Sequence, residues 1–125
     1  MGGDAAPNIV VDGAALARVR FPDVKFIMFG DRKQILPLVE KHENLQGSVS
    51  IYHTDDAVSS EERPAVALRQ GRNSSMQLAI NAVNSGEAAG IVSAGNTGAL
   101  MAMAKVSLKM LPGIDRPAIA APCPT

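Results

Sequence analysis

The chain has 125 residues, enough for one domain of ordinary size, and 46% hydrophobic with 19% charged residues excludes a disordered polymer. Twelve basic residues balance twelve acidic ones, so no global field draws nucleic acid or an acidic membrane, and any anion site must be built locally. The single cysteine, Cys123, excludes an internal disulfide framework, and two well-separated histidines argue against zinc of ordinary spacing, so neither metal nor cofactor is expected.

Aromatic residues are only 3%, which leaves Ala, Val, Ile, Leu and Met to fill the core. PNIVVDGAALARVR, Pro7 to Arg20, repeats apolar residues at three and four residue spacing and predicts a first amphipathic helix despite Gly13. VKFIMFG, Val24 to Gly30, is a short apolar run closed by glycine, as in a buried parallel strand. Asp31 then caps a second helix, DRKQILPLVEKH, which Pro37 is expected to kink or divide.

SVSIYH, Ser48 to His53, reads as a strand, and the polar TDDAVSSEERP after it as an exposed loop. RPAVALRQGRNSSMQLAINAVNSGEA is helical with an interruption near Gly71, a cap at Ser74 or Ser75 and a C-terminal stop at Gly86. AGIVSA, Ala89 to Ala94, is expected to be a buried strand, Gly98 to Leu111 a helix, and RPAIAAP, Arg116 to Pro122, a further strand. Strands alternating with helices predict an α/β/α sandwich on a mostly parallel sheet. The loops after Gly30, His53 and Ala94 then leave one edge, the carboxyl edge at which open α/β sheets bind ligands.

SAGNTGALM, Ser93 to Met101, lies on that edge. The first turn of its helix leaves N–H groups without intrahelical partners. Gly95 and Gly98 let backbone approach a ligand, Asn96 offers an amide and Thr97 a hydroxyl, which suits phosphate or a developing oxyanion. The same glycines serve a plain helix start equally well. GNTGA is not a P-loop, because no lysine follows its second glycine, and no GxGxxG occurs. Gly2, Gly3 and Asp4 form a second glycine-rich candidate, against a simple chain start. Arg69, Arg72, Ser74 and Ser75 form a third, against a solvated helix face with a serine cap.

His42 and His53 lack any context of a triad, Cys123 has no evident base, and ALMAMAKVSLKML reads as a core helix with Lys105 and Lys109 on its polar face. No apolar run approaches a bilayer span and no secretory signal opens the chain, so the sequence is read as cytoplasmic. The chain starts on loop-like MGGD and stops soon after a strand-like run, which predicts a fragment.

Taken in order, MGGDAAP, RPAVALRQGRNSSM, VSAGNTGALMAMAK and MLPGIDRPAIA resemble blocks of the PlsX family of bacterial phosphate acyltransferases. The resemblance spans almost the whole chain and implies the N-terminal portion of a single α/β/α sandwich domain over residues 1–125, related to isocitrate and isopropylmalate dehydrogenases, in a homodimer. It departs at Ala5 and Ala6, in the strand that the family places before the first glycine pair, and in the closing APCPT. The implied reaction moves the acyl group of acyl-acyl-carrier protein onto inorganic phosphate, giving acyl-phosphate for phospholipid synthesis. Phosphate is itself an anionic nucleophile, so the site needs positioning and oxyanion stabilisation rather than a covalent serine or cysteine.

On this reading Asn96 is the catalytic candidate. Ser93, Gly95, Thr97 and Gly98 line the site, Gly2, Gly3 and Asp4 face them, and Arg69, Ser74 and Ser75 contribute further. Asn96→Ala is expected to lower turnover with little loss of stability. The family's peripheral membrane contact is implied only for parts outside this chain. The alternatives are a phosphotransacetylase-like or dehydrogenase-like enzyme of the same fold, and a truncated non-catalytic module.

Overall fold

The computed structural model describes residues 1–123 and runs α1 (Asn8–Arg20), β1 (Phe26–Gly30), α2 (Arg32–Glu40), β2 (Val49–His53), α3 (Pro64–Gln70), α4 (Ser75–Asn84) and α5 (Thr97–Leu108). Short 3₁₀ turns at Glu43–Leu45 and Gly71–Asn73 join neighbouring elements.

β1 and β2 pair in parallel, with Phe26 opposite Val49 and Gly30 opposite His53. Ser48 O accepts from Phe26 N–H at 2.9 Å and Gly30 O from Thr54 N–H at 3.0 Å, so the pairing continues past both ends of the ladder. Parallel strands require a crossover, and α2 supplies it. Asp31 caps α2 by accepting from Lys33 N–H at 2.9 Å. A further bond from Gln34 Nε2 at 2.8 Å, together with the one from Lys33, holds its carboxyl below the usual carboxylate range.

Two apolar clusters organise the molecule. The first joins Val11, Ala14 and Ala15 of α1 to Met28 of β1, Ile35 and Val39 of α2, and Leu45. The second joins Val58 to Ala67 of α3, Met76 and Ile80 of α4, and Ala99 and Met103 of α5. Small residues let the second set of helices approach closely: a Cβ at Gly98 would lie 3.2 Å from Pro64 Cγ. Met103 is fully buried, as expected for a core helix.

Two expected strands do not form. Ala89–Ala94 and Arg116–Pro122 carry no ladder, and β1 and β2 are the only strands among the described residues. An apolar run specifies a preference for burial, whereas a strand also needs a neighbouring edge whose N–H and C=O groups pair with its own. Neither segment has that neighbour here, and Val92 is 94% exposed.

The helical expectations hold with adjusted ends, except that α1 is not amphipathic: it buries Val11, Ala14 and Ala15 but leaves Ile9, Leu16 and Val19 exposed. Pro37 does not divide α2, which continues to Glu40; the carbonyl that loses its partner there belongs to Lys33, an exposed residue. Ser74, not Ser75, caps α4, and Gly86 follows it at φ 80°. The helix expected to reach Leu111 ends at Leu108, where Lys109 turns to φ 65° ahead of Pro112. The loop after His53 is not wholly exposed: Val58 is 2% accessible and anchors the second cluster.

Candidate functional site

Local chemistry shapes the start of α5. Asn96 is its cap: Oδ1 accepts from Ala99 N–H at 3.0 Å and the backbone carbonyl accepts from Leu100 N–H at 3.0 Å. Its amide Nδ2 donates to Glu62 O at 2.8 Å and to Ser59 O and Ser60 O at 3.2 Å each. One side chain therefore ties the helix start to the loop after β2. Ser93 Oγ accepts from Gly95 N–H at 3.2 Å, closing the turn before the helix. Among the described residues, no protein acceptor takes the N–H of Thr97 or Gly98, as the first turn of a helix dictates.

The first glycine pair packs against this turn. A Cβ on Gly3 would stand 2.7 Å from Ala94 O, and one on Gly2 would collide with Val58 O. From the other side, a Cβ on Gly95 would meet Gly2 C at 3.8 Å and Met76 Cε at 3.5 Å. Met1 reaches the end of β1, its Sδ lying 2.9 Å from where Gly30 would carry a Cβ. Burial pushes the Met1 amino group below its ordinary value. The chain start is thus fitted into the carboxyl edge of the sheet between β1 and the Ser93–Gly95 turn.

Ser74 and Ser75 lie next to this junction through Val58, Met76 and Asp56. Ser74 is 1% exposed; its hydroxyl donates to Gly71 O at 2.6 Å and accepts from Gln77 N–H at 3.3 Å. Ser75 N–H donates to Asp56 O at 2.9 Å. The adjoining depression, about 370 Å³, is lined by Asp55, Asp56 and Glu62 beside Gly71 and Ser74. Three carboxylates repel an anion from it. Asp4, Arg69 and Thr97 are exposed, and no hydrogen bond among the described residues joins their side chains to the group.

The structure thus brings Gly2, Gly3, Ser93, Gly95, Asn96, Thr97 and Gly98 to one place, with Ser74 and Ser75 behind them. Val58 is what the residue types did not single out. Its signal was a lone valine inside the polar stretch TDDAVSSEERP.

The histidines are each paired with carboxylates rather than isolated. His42 Nε2 lies 2.9 Å from Asp12 Oδ1, and His53 stands between Asp31 at 4.0 Å and Asp55 at 3.5 Å. Asp31, His53 and Asp55 could face a common cation. Yet His53 Nδ1 accepts from Arg32 N–H at 3.2 Å and Asp31 is occupied as a helix cap, so hydrogen bonding accounts for the cluster.

Among known proteins, phosphate acyltransferases are close in sequence. The chain is 60% identical to the phosphate acyltransferase of Rhodospirillum rubrum, 58% to that of Paramagnetospirillum magneticum and 59% to that of Rhodospirillum centenum. Each match covers all of this chain and 36%, 36% and 35% of the respective relative, so the chain spans about a third of their length. No helix among the described residues is long and apolar enough to cross a membrane. Residues 1–125 match throughout the family described as fatty acid synthesis protein, and the chain belongs to that family.

Proposed function

We propose that residues 1–125 form one wall of the site at which a phosphate acyltransferase moves an acyl group from acyl-acyl-carrier protein to inorganic phosphate. The observation that carries the reading is the meeting of Gly2 and Gly3 with the Ala94–Gly98 turn at the head of α5. Relatives named phosphate acyltransferase, 58% and 60% identical over this chain, support reading that junction as part of an acyl-transfer site.

A phosphate oxygen attacks the thioester carbonyl carbon, the carbonyl oxygen becomes an oxyanion, and collapse breaks the C–S bond to release the carrier thiolate. The backbone N–H groups of Thr97 and Gly98 supply donors at the positive end of α5, where the dipole favours an anion. Gly2 and Gly3 let the opposite wall close to backbone distance. Ser93, Asp4, Ser74, Ser75 and Arg69 complete the assignment: Ser93 holds the turn, the serines hold the α3–α4 corner, Arg69 supplies positive charge, and Asp4 orients a neighbouring group. Asn96 acts by positioning, since its amide is engaged by the 59–62 loop and its carbonyl oxygen by Ala99.

The three-layer, dehydrogenase-like sandwich, the homodimer and the cytoplasmic setting belong to this reading as proposals. So does a role as the N-terminal portion of one larger domain. The test replaces the matching first third of the Rhodospirillum rubrum relative with residues 1–125 and measures acyl-phosphate, trapped as hydroxamate, from acyl-acyl-carrier protein and phosphate. Turnover supports the assignment. A folded chimaera that uses only acyl-coenzyme A, or that transfers hydride instead, selects the phosphotransacetylase-like or dehydrogenase-like alternative. Assaying the 125-residue chain beside the chimaera tests the non-catalytic alternative, because the chain spans only a third of its relatives.

A further inference from the structure

The glycine junction rests on the second apolar cluster. The backbone of Val58 meets Gly2, while its buried side chain holds Cγ2 at 3.4 Å from where Gly71 would carry a Cβ. Met76, in the first turn of α4 and 8% exposed, extends its terminal methyl to the other wall: Cε lies 3.5 Å from where Gly95 would carry a Cβ. That same point is 3.8 Å from Gly2 C, so the methionine methyl and the Gly2 wall bound one space beside Gly95, which a single methyl group would fill at ordinary contact. Gly95 has no side chain with which to anchor itself. Its N–H bond to Ser93 Oγ is exposed, whereas the contact with Met76 is made from the buried side. Met76 in turn is held in one close-packed cluster with Ala67, Ile80, Ala99 and Met103, in which a displacement of any member is felt by its neighbours. Its unbranched thioether supplies the reach: leucine has similar bulk but ends one bond sooner.

We propose that Met76 is a positioning residue for acyl transfer: its methyl group sets, from the buried side, how the Gly95 turn and the Thr97 and Gly98 N–H groups that follow it stand toward phosphate. The inference rests on the acyltransferase reading. Met76 touches no reacting atom and acts through Gly95, just as Asn96 acts through the helix start. Donors aimed at an anion lose much of their effect when they are displaced by a fraction of an ångström, so a contact beneath the turn bears directly on how phosphate is held.

The test uses the chimaera of the Rhodospirillum rubrum relative that carries residues 1–125, and measures kcat with the KM of phosphate and the KM of the acyl donor separately. Met76→Leu keeps the core volume, and so the fold, but withdraws the contact with Gly95; the KM of phosphate is expected to rise about threefold while that of the donor stays unchanged. Met76→Ala withdraws the contact further and is expected to raise it about tenfold. Ile80→Leu is a swap of the same kind one turn along α4 in the same cluster, and is expected to leave both constants at their parental values. A smaller folded fraction lowers kcat alone, so the KM of phosphate reports positioning and not stability. A phosphate KM in Met76→Leu within about 1.5-fold of the parent, an equal rise in Ile80→Leu, or an equal rise in the KM of the donor overturns the proposal. A parent chimaera that forms no acyl-phosphate from any thioester overturns the acyltransferase reading instead. Amide hydrogen exchange in the 125-residue chain then decides the role of Met76: faster exchange of the bonded Gly95 and Ala99 N–H groups in Met76→Leu than in Ile80→Leu upholds its hold on the turn, and equal exchange overturns it.

Discussion

Asn96→Ala tests how the head of α5 is held. The substitution removes the Ala99 cap, about 1 kcal/mol for a side chain of this kind. It also removes the amide bridge to the 59–62 loop, for which a net contribution of about 1 kcal/mol is typical. The two act at one residue, and together they predict a loss of about 2 kcal/mol, or roughly 8 °C in Tm for a domain of this size. Asn96→Ser separates them, because a serine hydroxyl can accept from Ala99 N–H but cannot span to Glu62 O, so about half of the loss should return. Asn96→Asp keeps the acceptor yet turns a carboxylate oxygen toward three carbonyls, and should be worse than serine. Denaturant unfolding followed by far-ultraviolet circular dichroism measures all three. An alanine variant within about 0.3 kcal/mol of the parent, or a serine variant as unstable as alanine, refutes the bridging role. The expectation of lost turnover without lost stability is thereby replaced: both should fall, because the amide works inside the protein.

Further outcomes follow from the glycines and the lone tyrosine. Gly3→Ala sets a Cβ 2.7 Å from Ala94 O, against backbone that cannot yield cheaply, and should cost about 1–3 kcal/mol. Gly13→Ala, on the exposed side of α1 with nothing within 4 Å, should instead raise stability by about 0.5–1 kcal/mol; equal effects in denaturant unfolding would refute the close approach of the first glycine pair. Tyr52 Oη donates to Glu87 Oε1 at 3.0 Å, which raises the phenol above its ordinary value of 10.0. A raised folded value favours the protonated form, so this stabilisation is complete below the unfolded value and disappears as pH rises through the folded one. Tyr52 is the only tyrosine in the chain, so phenolate absorbance reports it alone, and Glu87→Ala should lower the midpoint; an unchanged midpoint refutes the pairing.

Much of the local architecture was legible because it depends on near neighbours. Asp31 before a periodic run caps α2, and the Ser-Ser pair after Gly71 starts α4, each satisfying N–H groups only two or three residues ahead. Within the expected runs Val24–Gly30 and Ser48–His53, Phe26–Gly30 and Val49–His53 pair because a crossover helix of suitable length lies between them. The same reasoning failed for Ala89–Ala94 and Arg116–Pro122. Their apolar patterns resemble those of β1 and β2, and what differs is the neighbouring edge, a property of the assembled sheet and not of the run.

By itself, then, the sequence determined the α/β character and the caps at Asp31 and Ser74, since these follow from residue type and short spacing. It also carried the ordered blocks whose family the comparisons establish. Only the tertiary structure decided that Gly2 and Gly3 close on Ala94 and Val58, and that the Asn96 amide is committed to the 59–62 loop. It also decided that Val58 is buried at the junction and that acids rather than cations line the depression beside Ser74. Each joins residues tens of positions apart, and such contacts are set by how helices and strands pack together, which no local pattern encodes.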